Sequence, residues 1–373
     1  MTETTLQTQE LRINMGPQHP STHGVLRVEL VTDGEIVKRA IPHIGYLHRC
    51  FEKHAENIDY MGVMPFVDRM DYVASMNNDM GYAMAVEKLM QVEIPKRAEY
   101  IRVIMAELNR IASHILAIGT FGLDVGTFTP FMWCFRDREL ILDIFEMTSG
   151  ARLLYNYLWI GGVWMDLTPG IEEKIKEFCD YFEPKIDEID TILSYNSIFI
   201  HRTANVGIIS LDTAISYGLT GPNLRGSGKK WDLRKDEPYS VYPELEFDIP
   251  VGSGEQGTVG DCWDRYIVRV REMRESLKIV RQALKQIPEG LFRAPIRKVR
   301  PPAGEAYTKV ENPRGELGFY IVSDGSLKPY RVKAKSPCFT AISCLDEVSR
   351  NEMIADVVAI IGSFDIVLGE VDR

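Results

Sequence analysis

The run Ile101-Arg102-Val103-Ile104-Met105-Ala106-Glu107-Leu108-Asn109-Arg110-Ile111-Ala112-Ser113-His114-Ile115-Leu116 repeats apolar residues at intervals of three and four. Ile101, Ile104, Met105, Leu108, Ile111, Ile115 and Leu116 therefore mark one apolar face of a long helix. Outward from this run, a helical period holds from about residue 68 to 290. Leu140, Ile144, Met147, Leu154 and Leu158 predict a second helix with Gly150 inside it. Pro169 opens a third, whose face is Ile171, Ile175, Phe178, Phe182, Ile186, Ile189 and Ile192. A fourth starts near Asp261 and turns Ile267, Val270, Met273, Leu277, Val280 and Leu284 inward. Several long helices in one chain predict a bundle.

Both ends read differently. Leu26, Val28 and Leu30 alternate as in a strand, and Asp33-Gly34 ahead of Ile36-Val37 signals a hairpin. The glycine-rich stretch from 202 to 260 predicts loop with short strands. Pro295, Pro301 and Pro302 mark a break, after which Leu317–Val322, Tyr330–Ala334 and Val357–Ile361 read as short extended or buried segments. The fold class is α+β, a central long-helix bundle flanked by small β-sheets from the N- and C-terminal regions. Three segments follow: a β-rich part over 1–67, a helical core over 68–290, and an α+β part over 291–373 that packs on the core.

With 373 residues, 45% of them hydrophobic, the chain can bury a large core. A net charge of −10 argues against nucleic acid as the main partner. The basic patches Arg297-Lys298-Val299-Arg300 and Lys328 to Lys335 read as a solvated face or a protein contact. The six cysteines form no Cys-x-x-Cys, so neither a zinc site nor an iron–sulfur ligand set is expected within this chain. A disulfide framework is equally unexpected at this length. Residues 1–12 lack an apolar signal region, and no run of about 18 uncharged apolar residues exists. A cytosolic or peripheral protein is expected.

Five of the seven histidines, His19, His23, His43, His48 and His54, fall in the first 54 residues. Two of them sit in Gly16-Pro17-Gln18-His19-Pro20-Ser21-Thr22-His23-Gly24, a stiff turn punctuated by proline and glycine. Pro20 opposes a helix that would bring both imidazoles to one metal. His19 reads as a turn cap, and His23, beside Gly24, as the better functional candidate. Gly252-Ser253-Gly254-Glu255-Gln256-Gly257 matches a nucleotide-binding pattern, but no helix opens within the glycines and no second strand follows. It reads as a surface loop. Tyr72, taken alone, reads as a core tyrosine with a satisfied hydroxyl. Asp124 in Gly122-Leu123-Asp124-Val125-Gly126 either caps a helix end or orients a histidine, and spacing does not choose.

The run Gly16–Arg27 with His43-Ile44-Gly45-Tyr46-Leu47-His48-Arg49 resembles the quinone-site subunit of respiratory complex I, the D subunit of NADH:quinone oxidoreductase. This family is related to the large subunit of nickel–iron hydrogenases. Arg69–Tyr72 with Val73-Ala74-Ser75, Asn109–His114, Leu219-Thr220-Gly221, Arg271–Ser276, Arg314–Gly318, Val322–Gly325 and Gly369–Arg373 extend the likeness over nearly the whole chain. Hydrogenase relatives hold nickel and iron with two Cys-x-x-Cys pairs. The equivalent segments here are Asp71-Tyr72-Val73-Ala74 and Val367-Leu368-Gly369-Glu370, which hold no thiolate, so no metal is expected.

The resemblance implies that His23 and Tyr72 donate to the two oxygens of a quinone headgroup, as imidazole and phenol can. It implies that Asp124 pairs with His23, fixing its tautomer and favouring its protonated form. Arg49 and Arg69 are similar to family arginines near an iron–sulfur cluster carried by a small partner subunit, where positive charge raises its potential. Ion pairing with Glu52 or Asp71 is their plain alternative. Leu154 stands where many relatives have a histidine near that cluster, which implies a lower potential suited to a menaquinone. The region from Leu284 to Tyr307 is shorter than usual and lacks a histidine-containing helical segment. Expected partners are the cluster-bearing subunit, an adjacent peripheral-arm subunit and a membrane subunit that seals the quinone channel, on the cytoplasmic side of the inner membrane. Isolated, the chain should catalyse nothing. The alternatives are a ferredoxin-fed relative, a hydrogenase-type metal enzyme, and a scaffold that has lost quinone binding.

Overall fold

In the computed structural model, which describes residues 10–18 and 22–373, β1 (Glu10–Met15), β2 (Arg27–Asp33) and β3 (Ile36–His43) form an antiparallel sheet in that order. His19, expected to cap the turn, lies outside the described residues. Asp33 pairs with Ile36, so Gly34-Glu35 makes the two-residue loop. Leu26, Val28 and Leu30 are buried as the alternation requires.

Helices begin at Phe51, ahead of residue 68. The first two, α1 (Phe51–Ala55) and α2 (Tyr60–Asp68), are short, and the second runs through Pro65, so they carry little helical signal. Then come α3 (Ser75–Met90), α4 (Lys96–Asp124) and α5 (Phe128–Ser149). A two-strand ribbon, β4 (Leu158–Trp159) with β5 (Gly162–Val163), leads to α6 (Ile171–Ile189). Four short helices follow, α7 (Ser197–Thr203), α8 (Leu211–Tyr217), α9 (Gly221–Gly226) and α10 (Leu233–Asp236), before α11 (Cys262–Gln286). The C-terminal part is an antiparallel sheet of β6 (Gly304–Asn312), β7 (Gly315–Ser323) and β8 (Arg331–Lys335). It ends with α12 (Pro337–Ser343), α13 (Leu345–Val348), α14 (Ile354–Phe364) and α15 (Leu368–Asp372). The architecture is the α+β bundle with terminal sheets that the sequence implies.

Helix α4 is the axis, packed against α3, α5, α11 and α14. It is buried on every side from Tyr100 to Ile115, not on one face only. Its polar residues are therefore neutralised internally: Arg102 by Glu87, Glu107 by Arg110 and Arg234, and His114 by Glu272. The N-terminal sheet docks on the other end of the chain, where Val37 donates to Glu352 O and accepts from Asn351 N at 2.8 Å each. The C-terminal sheet lies on α3.

Four sequence expectations change. Helix α5 stops at Gly150, whose φ of +79° is left-handed, so Leu154 and Leu158 fall outside it. Its buried stripe is Ile141, Ile144, Phe145 and Thr148, while Leu140 and Met147 face outward because α5 lies between α4 and α6. A π-helical turn at Asp190–Ser194 advances the phase by one residue, burying Leu193 in place of Ile192. The 202–260 stretch makes short capped helices where strands were expected; Ser210 and Asp232 accept from the first turns of α8 and α10. Val357–Ile361 is helical within α14, whose nearly unbroken apolar run hides its period.

Candidate functional site

Tyr72 sits in the link between α2 and α3, held by a set of buried hydrogen bonds. Asp71 Oδ1 accepts from Val73 N at 3.2 Å, Asn78 donates to Asp71 O at 3.1 Å, and Asn109 of α4 both accepts from Met76 N and donates to Val73 O. Against it lies the start of α15. A Cβ at Gly369 would stand 2.6 Å from Met70 O and 3.3 Å from the Tyr72 ring, so only glycine permits this approach. The segments Asp71–Ala74 and Val367–Glu370 are thus in contact. Among the described residues, no three His, Cys, Asp or Glu side chains are arranged to hold a metal.

His23 enters from the N-terminal turn with a φ of +50°, a left-handed conformation that histidine tolerates better than bulky residues. Its Nε2 is 3.1 Å from Asp124 Oδ2, with side chains 18% and 8% exposed. Asp124 is the last residue of α4. Helix α14 closes on it through Gly362, where a Cβ would lie 3.1 Å from Asp124 Oδ2 and 2.7 Å from Phe121. Among the described residues nothing lies within 4 Å of a Cβ at Gly24, and its φ of +107° is one that L side chains rarely adopt, so glycine suits it conformationally.

His23, Tyr72 and Asp124 line one cleft of about 250 Å³. Its walls are Val73, Leu116, Leu123, Ile366 and Val367, with Arg314 and Asp365 at its base. Arg314, from the β6–β7 turn, donates to Asp71 Oδ2 and Ser113 Oγ at 2.9 Å and to Asp365 Oδ1 at 3.0 Å. One guanidinium thus ties together the Tyr72 link, α4 and the end of α14. Burial, and next the Asp71 charge, raise the Tyr72 phenol above its usual value, against Arg314 and Arg49. Arg314 and Asp365 are site residues that sequence reasoning misses. Arg314-Gly315 in a hairpin turn is a visible signal, but nothing local ties it to Tyr72.

Arg49 and Arg69 come together elsewhere. Arg49 Nη2 donates to Arg69 O at 2.5 Å and Arg69 Nη1 to Pro65 O at 2.8 Å, and both side chains are exposed. Neither pairs with Glu52 or Asp71, since Asp71 is taken by Arg314 and Glu52 by Arg331 and Lys333, but Arg69 Nη1 stands 3.8 Å from Asp68 Oδ2. The Leu154 loop reaches the same region, with Asn156 N 3.4 Å from Asp68 Oδ1. Leu154 is half-buried in a left-handed conformation, φ +59°. Of the other early histidines, the three described are spent structurally: His43 faces Glu29, His48 bonds Asp372 O, and His54 stacks on Phe66.

Residues 124–302 and 291–373 match the family model described as respiratory-chain NADH dehydrogenase, 49 Kd subunit. The chain is 57% identical to the D subunit of the NADH-quinone oxidoreductase of Chlorobaculum tepidum over 376 residues, covering all of this chain and 94% of that one. It is 57% identical to the protein of that name in Chlorobium luteolum, over all of this chain and 95% of that one. A third relative, the D 1 subunit of the NADH-quinone oxidoreductase of Cytophaga hutchinsonii, is 56% identical over 98% of this chain and 96% of its own. Among the described residues, no helix is long and apolar enough to cross a membrane.

Proposed function

The chain belongs to the family of the 49 kDa subunit of respiratory-chain NADH dehydrogenase, and we propose that, assembled in such an NADH:quinone oxidoreductase, its His23–Tyr72 cleft receives the quinone headgroup. The observation that carries this is the pairing of apolar walls with two protic groups from distant parts of the chain, one of them backed by Asp124. A flat ring with two carbonyl oxygens needs that combination: apolar sides for the ring, and donors that tighten as electrons arrive. His23 and Tyr72 donate, and Asp124 holds the imidazole in the orientation that presents its other nitrogen to the cleft.

Electrons come from an iron–sulfur cluster on a small partner subunit, which docks over Arg49, Arg69 and the Leu154 loop. The quinone tail leaves through a membrane subunit that seals the cleft, on the cytoplasmic side of the inner membrane. With leucine at 154, the cluster lacks an imidazole donor. Leu154→His is expected to raise its potential by roughly 60 mV, the one-electron equivalent of one hydrogen bond to a charged group, and to make that potential vary with pH. Redox titration followed by electron paramagnetic resonance checks this; an unmoved midpoint removes Leu154 from the cluster's surroundings.

The test of the cleft is Asp124→Asn in membranes. Losing a charge-assisted bond to His23 should slow NADH-driven quinone reduction by about 10–100-fold. Electron delivery to a water-soluble acceptor upstream of the cleft should not change. Normal quinone reduction in an assembled Asp124→Asn complex would leave the chain as a scaffold.

A further inference from the structure

Beneath the cleft, three carboxylates and two guanidiniums are packed out of reach of solvent. Arg314 bonds Asp71 and Asp365, and Arg269 Nε stands 3.8 Å from Asp365 Oδ2. The third carboxylate, Glu370 of α15, is fully buried, and among the described residues neither oxygen has a hydrogen-bond partner of normal geometry. Three groups face it: Asp71 from the link ahead of α3, Arg314 from the β6–β7 turn and the Cys338 thiol from α12. Asp71 and Asp365 already match the two guanidiniums, so a charge on Glu370 would have neither counter-ion nor water. Glu370 is therefore a neutral acid near pH 7. Burial first, and then the Asp71 charge, raise its pKa to about 8.

Glu370 shares its surroundings with Tyr72. Asp71 adjoins Tyr72 in the chain, Gly369 of the same helix presses on the phenol ring, and Arg314 and Cys338 act on both groups. We propose that Glu370 is the proton reserve that refills Tyr72 after each quinone reduction, an inference that rests on the quinone reading of the cleft. In turnover, two electrons arrive from the partner's iron–sulfur donor. The Tyr72 O–H bond breaks as one forms on a reduced quinone oxygen. The Glu370 carboxyl O–H then breaks, its proton passes to the phenolate oxygen, and the carboxylate is reloaded by a proton that enters through the Tyr72 cleft once the quinol has left. The reserve is full below the pKa of Glu370 and empty above it, so quinone reduction falls as pH rises through that value.

The test measures NADH:quinone reductase activity against pH in membranes, together with reduced-minus-oxidised infrared difference spectra of the purified complex. Glu370→Gln should lower the neutral-pH rate at least about tenfold, as expected for a lost proton-transfer group. It should also abolish the alkaline limb near pH 8 and remove a protonated-carboxyl signal present in the wild type. Asp71→Asn, which takes away the neighbouring negative charge, should move that limb to lower pH and gives a second reading if Glu370→Gln does not assemble. A wild type without the carboxyl signal, or a limb unmoved in the variants, overturns the proposal. A severe Tyr72→Phe defect beside a normal Glu370→Gln complex removes the reserve alone, whereas a normal Tyr72→Phe complex removes the quinone reading beneath it.

Discussion

Tyr72→Phe is expected to cut NADH-driven quinone reduction by about 100-fold or more, the usual worth of a positioned proton donor. The substitution keeps the ring that packs against α15 and deletes only the hydroxyl, so the link between α2 and α3 should survive. The phenol is half-buried and its pKa is raised by burial and by Asp71, so it stays protonated until a strong base forms beside it. A reduced quinone oxygen is such a base, and phenylalanine offers it nothing. Binding of the oxidised ring should weaken much less, because the apolar walls are untouched. The defect therefore belongs in kcat more than in KM. Membranes with assembled Tyr72→Phe complex, normal electron delivery to a soluble acceptor and unimpaired quinone reduction would show that the phenol touches no quinone.

Much of this is legible in the sequence, and the exceptions share a cause. Most of the face of α6 is legible because one side of that helix is apolar and the other charged, and the apolar positions expected in α11 are buried, although that helix also buries Arg265, Arg269 and Glu272. The all-round burial of α4 is hidden, because Arg102, Glu107, Arg110 and His114 look like a solvated face until their partners from other elements are seen. The α5 stripe is obscured for the related reason that exposed Leu140 and Met147 mimic core. At the site, His23, Tyr72 and Asp124 stand out through family-like blocks, not through spacing, since contacts across 101 residues leave no local trace. Arg314 and Glu370 lie inside such blocks yet carry no local signal of their own. Their importance is a matter of charge count in a closed space, and that count needs coordinates.

The largest stability effect is expected not at the cleft but in the middle of α4, at Glu107. Its two oxygens, fully buried, accept from Arg110 Nε at 3.2 Å, Arg234 Nη1 at 3.1 Å, Tyr242 OH at 2.6 Å and Ser276 Oγ at 2.7 Å. Burial pushes this carboxyl up, but Arg110 and Arg234, with Ser276 and Tyr242, outweigh it and hold the pKa at about 2. Glu107→Gln preserves shape while leaving the buried Arg110 guanidinium without its carboxylate and Arg234 with Asp232 alone. Breaking a buried pair in this way costs about 3–5 kcal/mol. That is a large share of the roughly 5–15 kcal/mol that holds a domain folded. The assembled complex should lose its thermal midpoint by several degrees and accumulate poorly in membranes. The pH dependence gives a sharper reading, because a carboxyl with a depressed folded-state pKa stabilises fully above its unfolded value of about 4.3. That contribution is lost as pH falls towards about 2, so the gap between wild type and Glu107→Gln should be widest near neutrality and close on acidification. A gap independent of pH would mean that the amide's altered hydrogen bonding, and not the missing charge, weakens the bundle.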